Sequence, residues 1–293
     1  ATAGLGSQLS AARNLGADGV YLVSLTDDLS SDDAYAHLQQ IPGFIHAEPD
    51  FWVTPDLLPN DTNFDQLYAM QNTGQSVNGD FGVADADIDA VEAWDISTGS
   101  SDVIVGIIDT GVDYTHPDLA DNIWTNPGEI PGNGLDDDDN GYIDDVHGYD
   151  FWDFDGDPMD GGSHGTHVAG TIGAVGNNNT DVTGVNWDVS MMPLRFLGPS
   201  GGFDSGAIQA LNYVAMMKDN GFNIRATNNS WGGGGYSPLM EAAINGNRVR
   251  NIMFVAAAGN DATNNDSTPH YPSSYTLDNV IAVAATNNDD LLW

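Results

Sequence analysis

The sequence predicts an α/β protein with a mostly parallel sheet flanked by helices, preceded by a small α+β unit. Three observations predict it. From about residue 88 onward, short continuous apolar runs alternate with helix-like segments, as expected for strands buried on both faces of a parallel sheet. Before residue 56 the order is instead strand, helix, extended piece. Between the two, TPDLLPNDTN at 54–63 is rich in Pro, Asn and Asp and reads as a linker. The expected domains are therefore residues 1–55 and 56–293, a division that a chain of 293 residues accommodates.

In the front unit, GVYLVSL (19–25) is an apolar strand, and Ser30 or Ser31 opens a helix with Asp32 and Asp33 in its first turn. FIHAEPDFWV (44–53) is the second extended piece. In the larger unit the strands are VIVGIID (103–109), VSMMPLRFL (189–197), IRATNNS (224–230), IMFVAAA (252–258) and VIAVAA (280–285). Helices fall at about 165–176, 205–219 and 237–248. Ligands of such sheets sit beyond the carboxyl ends of the strands, so the residues that close these runs are the first candidates for chemistry.

Composition narrows the partners. Aspartate and glutamate total 43 against 6 lysine and arginine, and a net charge of -37 repels nucleic acid and anionic lipid. Cations are favoured, and screening at high salt fits the same balance. No apolar run approaches the roughly 18 residues of a membrane span. With no cysteine, the chain has neither disulfides nor thiolate metal sites.

Asp109 closes VIVGIID, and a buried carboxylate at a strand end needs a partner; a strand-end aspartate that caps the next turn is the alternative. GGSHGTHVAG (161–170) sets His164 and His167 three positions apart at the start of a helix of small residues. Both could bind a metal, one could be a catalytic base, or both could be structural. The metal reading lacks the four-residue spacing and the intervening glutamate of a zincin helix. A histidine just before such a helix can reach a neighbouring strand end, so His164 can share a hydrogen bond with Asp109 and keep its other ring nitrogen as a base. His167 reads as a core histidine. IMFVAAAGND runs a strand into Gly259 and Asn260, whose amide can donate to an oxygen that turns negative in acyl transfer; a plain strand and turn is the alternative. NNSWGGGG (228–235) offers bare glycine backbone along which another chain can pair, unless it is only a flexible loop.

GLDDDDNGYIDD (134–145) places Asp136, Asp138 and Asn140 at alternate positions, followed by Gly141, Tyr142, Asp144 and Asp145. This is the opening half of an EF-hand loop, with His147 standing at its twelfth position in place of glutamate. Asp136, Asp138, Asn140, Tyr142 and Asp145 are the candidate calcium ligands, and a solvated acidic loop is the alternative.

DTGVDYTHPDL, SHGTHVAGT, NNSWGG and AAAGND, in this order along the chain, resemble the subtilisin-like serine proteases. The resemblance implies that Asp109 is the orienting acid, His164 the general base and Asn260 the oxyanion donor. It implies that Ser230, Trp231, Gly232, Ala257 and Gly259 line the pocket for the residue before the scissile bond, with Gly201 of LGPSGGF at the opposite edge. It also implies a second calcium (Ca2+) site of Asp61, Asp118, Asn177 and the carbonyls of Val175, Asn179 and Val182. The front unit resembles the family's inhibitory propeptide, with AEPDFWV as a final strand lying in the substrate cleft. A secreted, monomeric zymogen follows, whose partners are polypeptide substrates and its own propeptide as intramolecular inhibitor.

One departure stands against this likeness. The family's nucleophile lies in a GTSMA segment after the last strand matched here, and GTS occurs nowhere in this sequence. Either the chain belongs to a peptidase whose serine lies outside these residues, so that the 293-residue chain itself is inactive, or it is a noncatalytic calcium-binding relative that holds peptides by strand pairing. A metal-dependent hydrolase would need further ligands near His164, which the sequence does not offer.

Overall fold

The computed structural model describes residues 9–15, 19–25, 30–40, 42–50 and 57–292. The chain divides into two compact units, Ala1–Pro55 and Asp56–Trp293. In the first, β1 (Leu9–Asn14) pairs antiparallel with β2 (Tyr21–Leu25). Helix α1 (Ser31–Leu38) follows, where the Ser30 hydroxyl oxygen accepts from the Asp33 N–H at 3.1 Å. Asp32 and Asp33 then favour the positive end of the helix dipole. Of the extended piece FIHAEPDFWV, residues 44–50 form no strand, and Phe44 and His46 pack edge-on against Tyr35. Its last three residues lie outside the described residues, as does the start of the linker.

The second unit opens with a single 3-10 turn at Phe64–Gln66, followed by a short hairpin, β3 (Ser76–Val77) with β4 (Asp80–Phe81), and helix α2 (Ala90–Trp94). The main elements follow in the order β5 (Gly99–Asp109), β6 (Tyr149–Asp150), α3 (His164–Gly173), β7 (Asp188–Arg195), α4 (Asp204–Asp219), β8 (Ile224–Asn229), α5 (Pro238–Arg248), β9 (Met253–Ala257) and β10 (Val280–Val283). The six strands β5 to β10 form one sheet in the order β10-β9-β8-β5-β7-β6, every pair parallel. Both faces of its centre are covered. Ile104 and Ile108 of β5 join Leu211 and Val214 of α4 and Ile244 of α5 on one side, while Ile107 joins Ala169 of α3 on the other. Alternate residues of one strand thus feed two cores, each buried isoleucine contributing about 2 kcal/mol.

Helix α3 lies close to the sheet because its inner face is nearly bare. Gly165, Ala169 and Gly173, at four-residue intervals, are its buried residues. His167 stands two positions from Gly165, about 200° round the helix axis, and is exposed rather than in the core. No described helix is long and apolar enough to cross a membrane. Because the sheet is parallel, Asp109, Arg195, Asn229 and Ala257 all end their strands at one edge.

Candidate active site

At that edge Asp109 is fully buried at the end of the central strand β5. Its Oδ1 accepts from the Thr110 N–H at 2.7 Å and lies 2.7 Å from Nδ1 of His164. An ionised carboxylate only accepts, so Nδ1 carries the proton and Nε2 is left with a lone pair. The His164 side chain is 53% exposed, which leaves Nε2 open to a partner from solvent or substrate. Among the described residues no hydroxyl bonds to it. Gly165 and Gly111 make the pairing possible: a Cβ on Gly165 would run into the Gly111 carbonyl and sit 3.1 Å from the Asp109 Cβ. Gly111 itself has a left-handed φ of +101°.

The remaining sequence candidates fall into two groups. Gly201, Trp231 and Gly232 line one cavity of about 340 Å³, together with Phe203, Met240 and Tyr271. Gly201 adopts φ +107° in a tight turn that exchanges N–H to O bonds with Gly198 at 3.0 and 3.2 Å. The Trp231 ring packs on Phe196 at 5.0 Å. Ser230, Ala257, Gly259 and Asn260 do not line this cavity. The Ser230 hydroxyl accepts from the Asn228 amide at 2.9 Å, Ala257 pairs with Val283 of β10, and Asn260 is exposed just beyond β9.

His270 joins the two groups, and the sequence reading passed it over. Its ring lies against both glycine backbones: a Cβ on Gly232 would strike its Cε1, and one on Gly259 would lie 2.9 Å from its Cδ2. The Ser273 hydroxyl donates to the His270 carbonyl at 2.9 Å, so it accepts from Nδ1–H at 3.1 Å and leaves Nε2 as the ring's acceptor. The only sequence signal was its being the single histidine after residue 167.

The acidic loop gathers a different set from the alternate-position pattern. Glu129, Asp138 and Asp145 each present an oxygen within 4.8 Å of the others. Oε1 of Glu129 accepts from the Asp137 N–H at 2.9 Å, while its Oε2 is buried without a partner among the described residues. Burial pushes the Asp145 carboxyl up to about 6 against the pull of hydrogen bonds from Tyr213, Asn140 and Asn126. Asp136 instead accepts from the N–H groups of Asn140 and Gly141 at 3.0 and 2.8 Å, closing the turn. Asn140 donates its amide to Asp138 and Asp145, and the Tyr142 ring packs between Tyr149 and Tyr213. Three converging carboxylates with an orphaned buried oxygen fit a hard divalent cation such as calcium.

Asp61 and Asp118 are also brought together. Oδ2 of Asp61 accepts from the Asn177 N–H at 2.7 Å, and its Oδ1 is buried without a partner among the described residues. Asp118 accepts from the Asn178 amide at 2.7 Å and the Val182 N–H at 3.1 Å, and its carbonyl accepts from Val175 at 2.9 Å. Asn179 donates its N–H to the Asn60 side chain at 2.7 Å. The loop from 175 to 182 therefore wraps both acids, with left-handed φ at Asn177 and Asn179. Burial, with Asp118 adding to it, raises the Asp61 carboxyl although backbone hydrogen bonds oppose the shift. The orphaned oxygen again fits a cation.

A buried carboxylate that orients a half-exposed imidazole at the carboxyl edge of a parallel sheet has the arrangement of the acid–base half of a serine hydrolase. Residues 100–292 match the profile of the subtilase family, Peptidase_S8, and the chain belongs to that family. It is 35% identical over 249 residues to the thermophilic serine proteinase of Bacillus sp. (strain AK1), covering 84% of this chain and 50% of that protein. It is 35% identical over 309 residues to an extracellular protease of Xanthomonas campestris pv. campestris, covering 98% of this chain and 49% of the relative. Among solved structures, a protease of Pseudoalteromonas arctica PAMC 21717 superposes with a TM-score of 0.59 at 28% identity, covering 79% of this chain and 66% of that one. The chain spans about half the length of these two curated relatives.

Proposed function

We infer that this chain is part of the precursor of a secreted serine endopeptidase that acts on polypeptides, bound by calcium. The observation that carries the reading is the 2.7 Å pairing of His164 Nδ1 with the buried Asp109. Nε2 of His164 takes the proton of an attacking serine hydroxyl and returns it to the leaving amine, while Asp109 stays ionised and holds the ring. Asn260 donates its amide to the oxyanion. The substrate lies as a strand beside Gly201 and Gly232, with a small side chain before the scissile bond over the His270 ring that fills the slot between Gly232 and Gly259. The nucleophilic serine comes from a segment outside the 293 residues, since Ser230 is held by Asn228 and no serine of the described residues bonds to His164. Residues 1–55 act as the intramolecular inhibitor. Glu129, Asp138 and Asp145 hold one calcium, and Asp61 and Asp118 with the 175–182 loop hold a second; each ion supplies charge neutralisation that locks its loop. The names of the relatives, a serine proteinase and an extracellular protease, support peptidase action and secretion.

The absence of a hydroxyl against Nε2 among the described residues favours one other reading, a noncatalytic peptide-binding relative. The full-length gene product separates the two. Peptide hydrolysis that is lost in His164→Ala supports the peptidase. Peptide binding without hydrolysis, unchanged by His164→Ala, supports the binding module.

A further inference from the structure

Helix α3 begins without a cap from the residue before it. Ser163 has a left-handed φ of 68° and its hydroxyl caps nothing, yet His164 occupies the first turn, where N–H groups lack helical partners. Asp160 takes over that task. Its Oδ1 accepts from the N–H groups of Gly162 at 2.7 Å and Ser163 at 2.9 Å and from the Thr110 hydroxyl at 2.8 Å. Its Oδ2 accepts from the Thr166 N–H at 2.9 Å and the Thr166 hydroxyl at 2.5 Å. The Thr110 oxygen in turn accepts from the Gly165 N–H at 2.9 Å, and the Thr166 oxygen from the Asp113 N–H at 2.9 Å. The backbone N–H groups on both sides of His164, at 162, 163, 165 and 166, are thus all bound by one carboxylate and the threonine it holds. That threonine directly follows Asp109.

We propose that Asp160 is the positioning residue of the Asp109–His164 pair, fixing the helix that carries the imidazole to the strand end that carries the carboxylate. Five hydrogen bonds, four from the loop and first turn at the start of α3 and one from the residue just after β5, meet on its two oxygens, so the spacing of these segments cannot change without breaking several at once. Its carboxylate is half-buried. Burial alone would raise its pKa, but hydrogen bonds from Thr166, Gly162 and Thr110 outweigh that and hold it below the ordinary carboxylate range. The other charged groups around the helix start are otherwise engaged. Asp109 holds His164, Arg195 lies against Gly161 but pairs with Asp150 and Asp153, and the Asp113 side chain accepts from Thr115. The kinetic part of the claim rests on the proposed role of His164 as base; the geometric part does not.

The test uses the 293-residue chain first, through the far-downfield proton resonance of an imidazole N–H held by a carboxylate. The unsubstituted chain should show it, and its absence there would overturn the proposal. Asp160→Asn can keep the three bonds to Oδ1 but not the pair to Oδ2, and should leave a weaker, faster-exchanging signal. Asp160→Ala should lose it well below the variant's own melting temperature. Asn247→Ala removes a buried amide that bonds the carbonyls of Leu211 and Ala243, far in sequence from the pair, and serves as the stability control. It should melt earlier yet keep the resonance. Loss in both alanine variants, or retention in Asp160→Ala, would overturn the positioning role. In the full-length gene product, Asp160→Ala should lower kcat about 10- to 100-fold with KM changed less than about 2-fold. A raised KM at constant kcat would contradict the claim. If the unsubstituted product hydrolyses nothing, the peptidase reading fails while the resonance still decides the positioning.

Discussion

Gly165→Ala tests how closely α3 must lie on β5, and Gly170→Ala on the same helix supplies its control. Alanine gains about 1 kcal/mol over glycine within a helix, so on propensity alone both substitutions stabilise. Their surroundings differ. Nothing lies within 4 Å of a Cβ at position 170, whereas a Cβ at position 165 meets the backbone carbonyl of Gly111 and the Asp109 side chain. That carbonyl cannot rotate away as a side chain does, so the helix must retreat by roughly 1 Å to restore ordinary contact. Overpacking of this kind costs about 1–3 kcal/mol. Gly170→Ala should therefore stabilise by up to about 1 kcal/mol and Gly165→Ala, with the same gain set against the clash, destabilise by up to about 2 kcal/mol, separating the two by roughly 2–12 °C for a unit of this size. Thermal melts followed by circular dichroism measure the difference. A Gly165→Ala variant that melts at or above Gly170→Ala would refute the close approach on which the Asp109–His164 pairing depends.

Calcium should raise the melting temperature relative to chelator at fixed ionic strength, each filled site adding about 2.7 kcal/mol of stability at a hundredfold excess over its Kd. Glu129→Gln should lose a large part of that gain, and identical curves with and without calcium would contradict both proposed sites. In chelator, the raised Asp145 carboxyl binds its proton more tightly in the folded state, so its contribution is present at low pH and is lost as pH rises through about 6. Melts across that window should show stability falling with pH, and calcium should flatten the fall; a rise would contradict the burial of Asp145. His270→Gly empties the slot between Gly232 and Gly259, and in the full-length product should raise kcat/KM for phenylalanine over alanine before the scissile bond by about 10-fold or more. An unchanged ratio would place that side chain elsewhere. A peptide of residues 1–55 added in trans at micromolar concentration should inhibit hydrolysis, and full activity would count against the propeptide reading.

The strands of the larger unit were legible because a parallel sheet covered on both faces leaves unbroken apolar runs such as VIVGIID, and their carboxyl ends place Asp109 without further information. β1 was not legible: LSAARN has neither an apolar run nor clean alternation, and forms a strand only against β2. The burial of His167 was misjudged because small residues surround it in sequence, while the helical period sends Gly165, Ala169 and Gly173 inward instead. Asp109 and His164 announced themselves through motif. Glu129, Asp160 and His270 did not, since each acts through chain segments that only the folded backbone brings together: a proline-flanked turn, the loop before α3, and the segment after β9. The acidic loop shows the same limit. Its alternating acids suggested a self-contained calcium loop, but Asp136 serves the turn, and a glutamate from an earlier segment stands beside Asp138 and Asp145.

The central claim is that His164 and Asp109 form the acid–base half of a serine peptidase whose nucleophile lies outside these 293 residues. A fluorophosphonate probe read by intact mass tests it most directly. The account predicts stoichiometric labelling of the full-length gene product, loss of that labelling in His164→Ala, and no labelling of the 293-residue chain. Stoichiometric labelling of the 293-residue chain, or labelling of the full-length product that survives His164→Ala, would contradict it.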